Sequence, residues 1–88
     1  MKREKLYRLS VDDMILEYFM TIDDSVVSEP YGIGISKCHV LNPVEEYAIV
    51  DHVGSNQQDV CQLIEKLAKE KVFPVSLAEI LDDYLAEF

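Results

Sequence analysis

The chain has 88 residues, room for a single domain (1–88), with 49% apolar residues and a formal charge of −9. That apolar share excludes an acidic disordered polymer, and the acidity argues against a direct grip on a phosphate backbone, so no nucleic-acid partner is expected. No stretch of 18 apolar residues occurs, so no helix is expected to cross a membrane.

Residues 1–8 hold Lys2, Arg3, Lys5 and Arg8 against Glu4, a net of +3, while the rest of the chain carries −12. The basic start reads as a disordered arm over 1–4, lying on its own acidic domain; a contact for an acidic partner is the sharper alternative. No apolar signal core follows it, so a cytoplasmic protein with reduced Cys38 and Cys61 is expected.

Residues 5–53 read as strand-rich. Lys5–Val11 and Met14–Ile22 form a hairpin through Asp12-Asp13. One helix across 5–22 is the rival, since Leu6, Leu9, Ile15, Leu16 and Phe19 loosely fit helical spacing. The turn-like Ser10-Val11-Asp12-Asp13 favours the hairpin. A loop over 24–30 leads to a strand from Tyr31 to Val40, and Asn42-Pro43 turns the chain into an alternating strand from Glu45 to Val53.

Residues 55–88 read as a helical pair. The first helix, over 56–71, starts at a Ser55-x-x-Gln58 capping box and shows Val60, Leu63, Ile64, Leu67 and Ala68 on one stripe. The second, over 77–87, starts at Ser76-x-x-Glu79, with Val75 and Ile80 as a hydrophobic staple and Pro74 stopping what precedes it. Strands first and helices afterwards predict an α+β fold: an antiparallel meander of three or four strands with two C-terminal helices on one face.

Little catalytic chemistry is spelled out. Gly32-x-Gly34 lacks a third glycine and leads into a strand, so it does not make a phosphate loop; strand glycines mark close approach by another group. Cys38, His39, His52 and Cys61 lack zinc-ligand spacing, and neighbours 38 and 39 point to opposite faces, which also rules out a nucleophile pair. The pairs Asp12-Asp13, Asp23-Asp24 and Asp82-Asp83 fit turns and a solvated helix face. No metal, cofactor or catalytic residue is therefore expected, and the chain reads as a non-enzyme.

Tyr31-Gly32-Ile33 opening a strand, Val50-Asp51 ending one, the helix over 56–71, Val72-x-Pro74-x-x-Leu77 and Asp83-Tyr84-Leu85 form a scattered pattern over 31–86. In these positions the chain resembles a family of small bacterial proteins from clostridial and related Gram-positive genomes, a domain of unknown function. The resemblance implies a free-standing cytoplasmic protein and brings no site or cofactor with it.

The expected function is a protein-interaction module that self-associates, in keeping with a homodimer and a further protein partner. Two helices cover one sheet face. If that face bears Tyr31, Ile33, Ile35, Tyr47, Ile49 and Val53, the other bears Gly32, Gly34, Ser36, Cys38, Ala48 and Val50. Phe19, Gly32, Gly34, Cys38 and Val50 are the candidate contact residues, with the glycines as a furrow for a partner's aromatic. The alternatives are a small-ligand regulatory domain with an apolar pocket between sheet and helices, and an acidic mimic of nucleic acid that binds a basic partner.

Overall fold

The computed structural model describes residues 2–25, 28–42 and 44–85. Met1 of the expected arm, Pro43 of the expected turn, residues 26–27 of the expected loop and residues 86–87 of the expected second helix lie outside them. Four strands, β1 (Lys2–Val11), β2 (Met14–Ile22), β3 (Tyr31–His39) and β4 (Glu45–Gly54), form one antiparallel sheet in the order β1-β2-β3-β4. Two helices follow, α1 (Gln57–Lys69) and α2 (Leu77–Leu85). The fold is the α+β meander that the residue pattern predicts.

The hairpin reading of the first 22 residues holds. Val11 pairs with Met14 across Asp12-Asp13, and Asp12 takes a φ of 53°, which aspartate tolerates in turns. The basic start is not an arm. Lys2, Arg3 and Glu4 belong to β1 and pair with Ile22, Thr21 and Met20. Pairing with β2 places the basic residues in an edge strand of the sheet instead of away from it.

The core fills the space between the sheet and the helices. Leu16, Tyr18 and Met20 of β2 and Ile33 and Ile35 of β3 meet Val60, Ile64 and Leu67 of α1 and Leu77 and Leu81 of α2, all almost wholly buried. Tyr18 is buried with its hydroxyl donating to the Val72 carbonyl at 2.9 Å, which ties the central strand to the segment between the helices. Tyr84 of α2 is held by α1: the Lys66 ammonium lies 4.1 Å from its ring centre, and its hydroxyl donates to the Glu70 carboxylate.

Both caps differ in detail from the sequence reading. Asn56, not Ser55, caps α1, accepting from the amides of Gln58 and Asp59 at 2.9 and 3.2 Å. Asparagine here has the extended backbone that a cap needs, and it stands one residue closer to the first turn. Ser76 does not cap α2. Pro74–Ser76 is a 3-10 turn that runs into the helix, and Ser76 donates its own amide to the Phe73 carbonyl. Proline is preorganised for a first helical turn, so it begins the helical path where the sequence reading made it a stop. Val75 is 88% exposed, and no staple forms.

Candidate interaction surface

The helices leave one sheet face open, and the register says which residues lie on it. Gly34 is paired with Phe19 on one side and Ile49 on the other; Ser36 is paired with Glu17 and Tyr47; Cys38 is paired with Ile15 and Glu45. Paired residues share a face. Tyr47 and Ile49 therefore lie on the glycine face, while Ala48 and Val50 pair with Ile35 and Ile33 and pack on the core. This reverses the face expected for residues 47–50, and Val50 leaves the candidate surface; Val53, beyond the register shift of β4, packs on the core as expected. Both alternating sets of β4 are partly apolar, so its composition leaves the facing undetermined, and a one-residue change of register exchanges the two sets.

The glycine furrow is occupied from within. A Cβ placed on Gly34 would lie 2.2 Å from Cε2 and Cζ of Phe19, so the Phe19 ring lies flat over the Gly34 backbone. Phe19 is 4% exposed, and the Arg3 guanidinium stands 5.2 Å from its ring centre. Gly32 makes the same kind of room for the Thr21 hydroxyl and the Val50 carbonyl. No space remains there for a partner's aromatic; the two glycines let the sheet's own aromatic lie down, leaving a flat surface.

Around this centre the face is mixed. Ile15, Cys38 and Ile49 are half-buried, and Tyr47 is 64% exposed. Lys5 pairs with Glu17 at 3.0 Å, and Arg3, Lys5, Glu17, Phe19, Ser36 and Glu45 border a shallow hollow of about 220 Å³. Of the residues expected to make contact, Phe19, Gly32, Gly34 and Cys38 are thus brought together. The sequence offers Arg3, Lys5 and Arg8 as a separate basic contact and puts Tyr47 on the covered face; the register brings all four onto this open one. The signal that finds them is the contrast between a basic β1 and an acidic β4.

The remaining chemical groups take ordinary structural roles. Asp23 accepts from the Ser25 hydroxyl and amide, which hold its carboxyl below the usual range and close a turn. His52, at a φ of 58° in an irregular stretch of β4, donates from Nδ1 to the Glu29 carbonyl at 3.0 Å. Burial, with Glu4 nearby, pushes the Cys61 thiol up and away from the reactive thiolate. Among the described residues no group of three or more His, Cys, Asp or Glu side chains could hold a metal ion. A second cleft of about 250 Å³, beside the start of α1 and bordered by Val53, Asn56, Val60, Leu63 and Leu85, falls short of the usual size for a ligand pocket.

A four-stranded meander backed by two helices, with one sheet face left open, is the class of protein that emerges. The chain belongs to a family of unknown function (DUF6514), whose model matches residues 2–87. That is nearly the whole chain, and it includes the β1–β2 hairpin, which the resemblance over 31–86 did not reach. No curated protein and no solved structure matches it. No described helix is long and apolar enough to cross a membrane.

Proposed function

We propose that the protein is a non-enzymatic interaction module that pairs with a second copy of itself through the open face of its sheet. The observation that carries this reading is the flat centre of that face, where Phe19 lies over Gly34 amid Ile15, Ile49, Cys38 and Tyr47. A solvated face of an antiparallel sheet is ordinarily polar. Four strands of about nine residues span roughly 20 by 30 Å, about 600 Å² per copy. A pair would then bury about 1,200 Å², the low end for specific association, in keeping with a dimer that comes apart on dilution. Two free cysteines on different elements suit the reducing cytoplasm.

The small-ligand reading has less support, because large side chains fill the space between sheet and helices. The test is the solution mass by light scattering across a concentration series. The reading predicts twice the 10.1 kDa chain mass at high micromolar concentration, falling toward one chain on dilution. One chain throughout contradicts it.

A further inference from the structure

The two edges of the sheet carry opposite charge. On the open face β1 presents Arg3, Lys5 and Arg8, beside Thr21, Phe19 and Glu17, whereas β4 presents Glu45, beside Cys38, and neither Lys nor Arg; Glu46 lies on the helix side, where it pairs with Lys37 at 3.2 Å. Between them, over the Gly34 backbone of β3, lies the Phe19 ring of β2, at the middle of the four strands. Two copies stacked face to face by a two-fold axis across the strands would set β1 against β1, like charge on like. An axis parallel to the strands sets β1 of each copy over β4 of the other, with the two Phe19 rings, each attended by its own Arg3 guanidinium, near the centre.

Building on the self-association proposed above, we infer that the copies pair about an axis parallel to the strands, with Arg8 of each chain over Tyr47 of the other. Arg8 shares a row with Glu17, Ser36 and Tyr47, and that row is preserved by this axis. An arginine over an exposed tyrosine ring, with Glu45 two residues away on the same strand, gains both ring and charge attraction. The opposite charges could instead join sheets edge to edge into an open filament. Both edges are guarded against this: β1 shifts register between Lys5 and Tyr7, and β4 between its partners at Tyr31 and Ile33.

Charge exchange in the full chain tests the orientation. Arg8 and Tyr47 lie on opposite edge strands, three strand spacings or about 14 Å apart, so they do not meet within one copy. Arg8→Glu and Tyr47→Arg should each raise the dimer dissociation constant about tenfold or more. The double variant, which sets an acid at position 8 against a base at position 47 across the pair, should recover most of that loss. Lys69→Glu, the same kind of charge reversal as Arg8→Glu but on the helical side, should leave the mass unchanged, and thermal melts check that each variant folds. Single variants that dimerise like the parent, or a double variant no tighter than either single, overturn the orientation while self-association stands. A parent chain that stays monomeric removes both, and a mass growing beyond two chains points to edge-to-edge assembly and overturns the inference.

Discussion

Phe19 and its two glycines show how one residue sets the shape of a surface. A methyl group on Gly34 cannot share space with the Phe19 ring, so Gly34→Ala must expel the ring into water. Exposing a buried phenylalanine costs about 2 kcal/mol, measurable by urea denaturation. In a Phe19→Ala background the same substitution should cost less than about 1 kcal/mol, because nothing remains to be displaced. Gly32→Ala behaves differently. Its methyl would lie 2.7 Å from the Val50 carbonyl oxygen, a backbone atom that no side-chain rotation can move, so its cost persists whatever occupies position 19. An equal cost for Gly34→Ala in both backgrounds would contradict the flat ring. Tyr18 is the other decisive residue. Burial pushes its phenol up to about 12 from 10.0, so the folded chain keeps the proton to higher pH than the unfolded chain does. Stability from this group is complete below pH 10.0 and is lost as the pH rises toward about 12. Tyr18→Phe should cost about 1 kcal/mol at neutral pH through the lost bond to Val72, and should flatten that alkaline loss.

Among the elements, periodicity and turn chemistry place all four strands and both helices. The apolar stripe of α1 is buried as read, because one helical face of Leu, Ile and Val has a single way to meet a sheet. What sequence leaves open is parity and punctuation. β4 has two partly apolar faces, so its facing depends on the connection from Cys38 to Glu45, whose geometry the residue pattern does not specify. Asn56 and Ser55 are both good caps, and Pro74 both stops and starts helices; only the packed chain decides between them. Asn56→Ala should therefore destabilise the fold by about 1 kcal/mol, whereas Ser76→Ala, at the cap expected from sequence, should change it by less than about 0.5 kcal/mol. Thermal or chemical melts of the two variants check this. A larger loss at Ser76 than at Asn56 would contradict the observed helix starts.

For the molecule as a whole, the open face was legible as a consequence of counting: two short helices cover one side of a sheet. Its centre was legible through Phe19, Gly32, Gly34 and Cys38. The occupant of the furrow was not, because a glycine in a strand announces close approach without saying whether the approaching group belongs to the same chain. The basic start and the acidic stretch around Glu45 were each visible as local charge, but their placement on opposite edges of one sheet needs the strand order. The most direct measurement of the central claim is the alkylation rate of Cys38, which lies on the open face, in a Cys61→Ala chain across a concentration series. Pairing through this face predicts that Cys38 reacts more slowly as concentration rises, in step with the gain in mass. A mass that doubles while Cys38 reacts at one constant rate would place the contact elsewhere on the molecule and contradict the account.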